Sequence, residues 1–191
     1  MTNVLCQIND EGFTTKPTDI RFMGRLRDKI IQKPWAYLSE GEFIEKVASQ
    51  GFAFYGNLFD GHDLMETGRQ RECWKAQTIV AVDIDKCPVD ATRMALHYAE
   101  LGFVPWLAYR TFSDGVNGLH SYRLLWQVEV DLSVTYEQWA EVIKAMSTLT
   151  EWGDKHARDC TRMWQGSLNG VAWHVPGNPW TYEEFKTKLG L

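Results

Sequence analysis

The first residues whose spacing suggests chemistry are Asp83 and Asp85, at the end of an apolar run with the sequence TIVAVDID over 78–85. In a strand, residues i and i+2 lie on the same face, so these like charges repel each other. A hard divalent cation relieves the repulsion, and the oxygen ligands suit Mg²⁺ or Mn²⁺ completed by substrate phosphates. The alternative is that one aspartate caps the following helix while the other is solvated. We expect that replacing either with alanine abolishes activity and relieves the repulsion.

An apolar strand that ends in Asp-x-Asp is shared by three chemistries: nucleotidyl transfer on two metal ions, sugar-nucleotide transfer, and phosphoryl transfer through an aspartyl nucleophile. More residues are needed to choose among them. Polar residues of types that bind phosphate or metal recur later in the chain, before a Gly-Ser-Leu-Asn sequence at 166–169. These further candidates are Ser113, His120, Arg123, Asp154, Asp159 and Arg162.

In this order the motifs resemble the archaeo-eukaryotic primase superfamily, specifically the primase-polymerase domains of phages, plasmids and other mobile elements. The VAVDID run at 80–85 matches the first motif of that family, and the D-x₄-D-x₂-R pattern at 154–162 with its Gly-Ser-x-Asn turn matches the third. The second motif departs from the family's Ser-x-His pattern, because Ser113 is followed by Asp114 and Gly115. The nearest histidine is His120. The resemblance covers roughly 52–169.

The resemblance implies an α+β fold, with a mixed central sheet flanked by helices and an RRM-like catalytic half, in one catalytic domain over 1–191. It implies a DNA primase-polymerase that joins nucleoside triphosphates on a single-stranded DNA template during replication of a mobile element. Mg²⁺ or Mn²⁺ is the implied cofactor. A replicative helicase is a further expected partner.

The resemblance also assigns the metal site. Asp83, Asp85 and Asp154 are the expected catalytic residues and metal ligands. Asp159 competes with Asp154 for one position in that site, and the family's pattern favours Asp154. Asp159 then supports the site from behind the ligands by holding a neighbouring arginine.

Nucleotide binding is the second implied role. Arg123 is expected to bind phosphate, although a charge that protects the edge of a sheet is an alternative interpretation. Arg162 is expected to grip a triphosphate or a template phosphate, with a surface salt bridge as its alternative. His120 replaces the missing motif histidine or is merely solvated. The expected nucleotide-binding residues are Ser113, His120, Arg123 and Arg162.

The charge balance limits how the chain binds nucleic acid. Its 20 basic and 25 acidic side chains give a net charge of −5. This charge argues against a protein that coats nucleic acid through bulk positive charge, so contact with a template must be local. A basic run at 19–33 supplies the candidates, with a solvated helix face as the alternative interpretation. The expected nucleic-acid contacts are Arg21, Arg25, Arg27 and Lys29.

Two other functions remain open on the sequence. A haloacid-dehalogenase-like phosphatase would use Asp83 as nucleophile and Asp85 as general acid. The motif of such phosphatases has Thr or Val at the position where this chain has Cys87. A catalytically inactive replication-initiation module that binds DNA is the non-enzymatic alternative, favoured by the irregular second motif.

Hydrophobic patterns place these residues on secondary structure. A buried strand at 78–84, a helix from about Pro88 to Gly102 and a strand at 104–111 predict a β-α-β unit with a right-handed crossover. A further strand is predicted at 121–130 and a short one at 160–165. Capping-box patterns predict helices over 39–50, over 135–149 and from 181 onward.

Composition sets the expected compartment. No stretch approaches the roughly 18 to 20 apolar residues of a membrane-spanning helix. The N-terminus lacks the basic and apolar regions of a signal peptide. We therefore expect a cytoplasmic protein with no membrane partner, whose four cysteines are free thiols.

Overall fold

The computed structural model describes residues 3–60 and 70–191. The strands within these ranges are β1 (Asn3–Gly12), β2 (Ala36–Ser39), β3 (Phe52–Tyr55), β4 (Asn57–Phe59), β5 (Trp74–Gln77), β6 (Ile79–Cys87), β7 (Leu107–Arg110), β8 (His120–Gln127), β9 (Met163–Trp164) and β10 (Val171–His174). The helices are α1 (Ile20–Ile31), α2 (Glu40–Ile44), α3 (Gln70–Cys73), α4 (Ala91–Glu100), α5 (Tyr136–Thr148) and α6 (Tyr182–Leu189). A π-helical turn (Glu45–Ser49) continues α2.

The strands form two four-stranded sheets, ordered β2-β1-β3-β9 and β10-β7-β8-β6, and a two-stranded sheet β4-β5. This arrangement of sheets and helices confirms the predicted α+β class. One detail differs from the expectation of a mixed sheet, because every described pair of neighbouring strands within the sheets is antiparallel.

The sheet β10-β7-β8-β6 carries the Asp-x-Asp motif. β6, α4 and β7 follow one another along the chain as predicted, but β8 lies between β6 and β7 and is antiparallel to both. β6 and β7 therefore run in the same direction without touching. Together with α4 and α5, these strands form the expected RRM-like half.

The unbroken apolar pattern of β6 arises because two hydrophobic clusters cover its two faces. Val80 and Val82 belong to one cluster, with side chains from α4 and α5. Ile79 and Ala81 belong to the other, with side chains from β1, α2 and β3. Since alternate residues enter different cores, no polar face remains, and the strand reaches the surface only at its Asp85 end.

The helix starts follow local capping chemistry. Capping boxes begin α2, α5 and α6, as the sequence predicted. The predicted helix after β6 begins later than expected, because Asp90 rather than Pro88 sets its start. The Asp90 side chain accepts from the backbone N–H groups of Thr92 and Arg93 at 3.0 and 3.1 Å. Pro88 lies in the turn that precedes this cap.

Two further expectations can be compared with the structure. All four cysteines are free thiols, as predicted, and all four are buried. None of the described helices has the length and apolar character needed to cross a membrane.

Candidate active site

Three carboxylates converge where β6 ends. Asp83 and Asp85 extend from β6, and Asp154 comes from the segment that follows α5. The backbone N–H of Asp154 donates to the carbonyl oxygen of Asp83 at 2.9 Å, and an antiparallel bridge joins Ile84 to Gly153. One oxygen from each carboxylate lies within 4.8 Å of the other two.

The burial of the cluster is graded. Asp83 is 6% exposed, Asp154 is half-buried and Asp85 is exposed. Carboxylate oxygens gathered this closely at an open edge match the donor set that Mg²⁺ and Mn²⁺ prefer. The residues therefore fit the metal that the resemblance implies.

Arg123 is the ion-pair partner of Asp83. The two residues face each other across β6 and β8. The guanidinium donates to Asp83 Oδ1 from Nε at 2.9 Å, and its Nη2 lies 2.7 Å from the same oxygen. Because β8 lies inside its sheet, the interpretation of Arg123 as an edge-protecting charge is wrong.

Three other groups fix the Arg123 guanidinium. Its Nη1 donates to the Tyr109 hydroxyl and to the Gln165 carbonyl, each at 2.7 Å, and its plane lies 4.7 Å from the Trp164 ring centroid. Desolvation opposes the charged form, but the attraction of Asp83 and Tyr109 outweighs it and raises the Arg123 pKa. Burial raises the pKa of Tyr109 to about 12. The arginine therefore stays charged and the tyrosine neutral.

A cleft of about 350 Å³ opens beside the carboxylates. Asp83, Asp85 and the predicted nucleotide-binding residues Ser113, Arg123 and Arg162 all line it. It is therefore a mixed-charge cavity, with carboxylates and guanidinium groups on its walls.

Arg162 lines the cleft close to the carboxylate cluster. Its Nη1 donates to the His156 carbonyl at 3.0 Å, and its Nη2 lies 3.9 Å from Asp154 Oδ2. The guanidinium also lies 5.4 Å from the Trp164 ring centroid. With a side chain 36% exposed, it remains accessible to an anion in the cleft.

The Gly-Ser-x-Asn turn shapes the far wall of the cleft. A Cβ at Gly166 would lie 2.4 Å from the Val47 carbonyl oxygen, so only glycine fits there. Asn169 Nδ2 donates to the Thr111 carbonyl at 2.6 Å. The turn therefore holds the segment that carries Ser113.

Two predicted site residues have other partners. His120 Nδ1 lies 3.3 Å from Asp114 Oδ1, and His120 is not among the residues that line the cleft. Asp159 Oδ1 accepts from the Tyr136 hydroxyl at 2.8 Å and from the backbone N–H of Thr161 at 2.7 Å. Asp159 therefore lies outside the three-carboxylate cluster, and its side chain supports a turn.

Comparison with known proteins gives one informative match. The chain matches no family model, and no curated protein sequence is similar to it. Among solved structures, it is similar to the AEP domain (PP-N190) of the cyanophage S-2L primase-polymerase, with a TM-score of 0.53 and 12% sequence identity. The match covers 98% of this chain and 89% of that one. The fold is that of a primase-polymerase domain.

Within this primase-polymerase fold, α1 adjoins the cleft. Met23 of α1 lines the cleft, and Gln165 Nε2 lies 3.6 Å from its sulfur atom. The predicted template contacts Arg21 and Arg25 are exposed on α1 and have no ion pair among the described contacts. The other two are paired, Arg27 with Asp28 at 3.0 Å and Lys29 with Asp10 at 3.3 Å.

Sequence reasoning missed Lys16 in the cleft and two aromatic residues that contact Arg123 beside it. Lys16 lies in the loop before α1, far along the chain from the acidic motifs, and nothing in its local sequence marked it. Tyr109 and Trp164 lie in short strands and read as ordinary core aromatics. Only the register of β7 beside β8 and the approach of β9 bring them to Arg123.

Proposed function

We propose that this protein is a metal-dependent nucleotidyltransferase of the primase-polymerase type, which joins nucleoside triphosphates on a single-stranded DNA template. The observation that carries the proposal is the convergence of Asp83, Asp85 and Asp154, with one oxygen of each within 4.8 Å of the others, in a primase-polymerase fold. Such a carboxylate group beside a cleft lined by cationic side chains is suited to hold metal ions and a polyphosphate together.

The three aspartates would hold Mg²⁺ or Mn²⁺. Divalent ions bound there would lower the pKa of an attacking 3′-hydroxyl and stabilise the charge of the leaving pyrophosphate. Asp85, exposed at the cleft, is the ligand most accessible to an arriving nucleotide. Arg123 holds Asp83 from behind, which fixes the orientation of its carboxylate.

The side chains around the cleft would bind the triphosphate. Lys16 and Arg162 supply positive charge from two sides, and Ser113 supplies a hydroxyl donor. Arg123 also lines the cleft, but its hydrogen bonds to protein groups favour a positioning role over the phosphate contact that the sequence suggested. His120, paired with Asp114, would contribute through the loop conformation rather than by direct contact.

The exposed face of α1 would contact the template strand. Because Met23 of this helix lines the cleft, a strand that leaves the site can pass Arg21 and Arg25, which have no ion pair within the part of the chain that the structure describes. Phosphate contacts of this kind give salt-dependent affinity without sequence preference. A helicase partner and a mobile-element origin stay predictions.

Incorporation of labelled nucleotide on primed and unprimed single-stranded DNA tests the proposal. We expect product only with Mg²⁺ or Mn²⁺, and none from Asp85→Asn, whose exposed side chain makes the variant structurally conservative. Asp131→Asn is the matched control, because Asp131 is also exposed and its side chain accepts hydrogen bonds from Ser133.

Two other outcomes would overturn the proposal. Hydrolysis of a simple phosphomonoester without nucleotide incorporation would favour the phosphatase with Asp83 as nucleophile. DNA binding without either activity would favour an inactive replication-initiation module.

A further inference from the structure

The two oxygens of Asp83 are used unequally. Both guanidinium contacts from Arg123, at 2.9 and 2.7 Å, fall on Oδ1. Oδ2 receives neither of them. Oδ2 is therefore the oxygen that the ion pair leaves available for coordination.

The guanidinium cannot easily release Oδ1. Its Nη1 is bonded to both the Tyr109 hydroxyl and the Gln165 carbonyl, and Trp164 covers its face. The Arg123 side chain is only 9% exposed, so water cannot readily replace these contacts. Moving Arg123 away from Asp83 would break several buried hydrogen bonds together, each costly to leave unmade.

We propose that Arg123 is a positioning residue that reserves Oδ1 of Asp83, so that the free protein binds a single divalent cation at the carboxylate cluster. This inference rests on the proposed function, in which the same carboxylates hold two ions during the reaction. A second ion would then need oxygens that the protein does not supply, such as those of a triphosphate.

Two physical arguments support the binding of a single divalent cation by the nucleotide-free protein. A carboxylate bridges two cations most readily with one cation on each oxygen, and Arg123 occupies one oxygen of Asp83. The guanidinium groups of Arg123 and Arg162 also offset part of the charge of the three carboxylates, so a single divalent cation is enough to neutralise the cluster. Without a triphosphate, a second cation would meet net repulsion.

The number of bound ions in the nucleotide-free protein tests the proposal. Titration with Mn²⁺, followed by the electron paramagnetic resonance signal of the free ion, is expected to give one site per wild-type chain. Two sites in the wild-type protein would overturn the proposal while leaving a metal-dependent function intact. No Mn²⁺ binding at all would overturn the proposed function as well.

The substitution Arg123→Gln separates positioning from a purely structural role. Freed from its cationic competitor, the cluster should bind its first Mn²⁺ about fivefold more tightly. Turnover should nevertheless fall about tenfold or more, because Asp83 loses its fixed orientation. If the role of Arg123 were purely structural, its loss would weaken both Mn²⁺ affinity and turnover. Unchanged or weaker Mn²⁺ affinity in a folded variant would therefore overturn the proposal.

Two further variants keep the test interpretable. Tyr109→Phe removes one acceptor of Arg123 but retains its charge and its contact with Asp83, so wild-type Mn²⁺ stoichiometry and affinity are expected. Arg123→Lys retains the charge without the fork of donors, so one Mn²⁺ site and reduced turnover are expected. If Arg123→Gln does not fold, a second Mn²⁺ site in Arg123→Lys would overturn the proposal and a single site would support it.

Discussion

The backbone N–H of Asp154 donates a 2.9 Å hydrogen bond to the carbonyl oxygen of Asp83. This contact joins the segment after α5 to the end of β6 and brings the third carboxylate beside the first. The adjacent bridge between Gly153 and Ile84 extends the contact by one residue pair. The carboxylate cluster therefore depends on backbone pairing as well as on the identities of the aspartates.

Gly153 tests this dependence without changing a charged group. A Cβ at Gly153 would lie 2.1 Å from the Ser147 carbonyl oxygen, so Gly153→Ala must displace the segment that carries Asp154. We expect a stability loss of about 1–3 kcal/mol, as for other overpacked sites, together with weaker Mn²⁺ binding. Isothermal titration of folded protein measures the metal affinity. Gly177→Ala is the control, because a Cβ there meets open space; equal Mn²⁺ affinity in both variants would contradict the prediction.

Substitutions of Asp83 and Asp85 should differ in their effect on stability, although the proposed function uses both carboxylates. From the sequence, either alanine substitution is expected to relieve the repulsion between the two carboxylates. In the structure, however, Asp83 is the buried ion-pair partner of Arg123. Asp83→Ala should lower the free energy of unfolding by about 3–5 kcal/mol, because it leaves a buried charge unpaired. Asp85→Ala, at an exposed position, should change it by less than about 0.5 kcal/mol. Urea unfolding checks both values, and equal stabilities would show that the ion pair contributes nothing.

Substitutions of Asp154 and Asp159 should have different effects on Mn²⁺ affinity in metal titrations. Asp154→Asn should abolish or strongly weaken Mn²⁺ binding, because it removes one of three clustered carboxylates. Asp159→Asn should leave the Mn²⁺ affinity within about threefold of the wild-type value. This change is smaller than the usual effect of substituting a residue that is bonded to a metal ligand. An asparagine can still accept from Tyr136 and Thr161, which preserves the turn. The reverse order of affinities would move the metal site toward Asp159.

The salt dependence of DNA binding should depend on Arg21 and Arg25 of α1. Each lost phosphate contact lowers the slope of log affinity against log salt by roughly 0.7 for a single strand. Arg21→Ala/Arg25→Ala should therefore flatten the slope by about 1.4, measured by fluorescence anisotropy with a labelled oligonucleotide. Arg27→Ala/Lys29→Ala is the matched control, because both cations are already paired with aspartates. A larger effect in the control would place the template elsewhere.

Asp90 should make the stability of α4 pH-dependent. Hydrogen bonds from the backbone N–H groups of Arg93 and Thr92 lower the Asp90 pKa, so its contribution is present at neutral pH and lost as pH falls through that lowered pKa. Asp90→Ala should cost about 1 kcal/mol at pH 7, and the difference from wild type should shrink below about pH 4. Asp90→Asn, which caps without titrating, is the control. A pH-independent difference between Asp90→Ala and wild type would contradict the prediction.

Local patterns in the sequence were sufficient for the elements that carry the first and third motifs. The apolar run before Asp83 predicted a strand buried on both faces, and capping boxes at Ser39, Thr135 and Thr181 predicted three helix starts. These signals are local, because strand alternation and N-terminal capping are decided within a few residues. The fold class and the RRM-like half followed from the order of such elements and from the family resemblance.

Tertiary structure alone decided how the site is assembled. The register of β8 between β6 and β7 pairs Arg123 with Asp83 and places Tyr109 beside it, and no local pattern encodes that register. The approach of Lys16 to the cleft likewise depends on contacts between distant segments. Such long-range contacts are fixed when two hydrophobic cores close around the sheets, so the sequence identified the acidic residues whereas packing determined their partners.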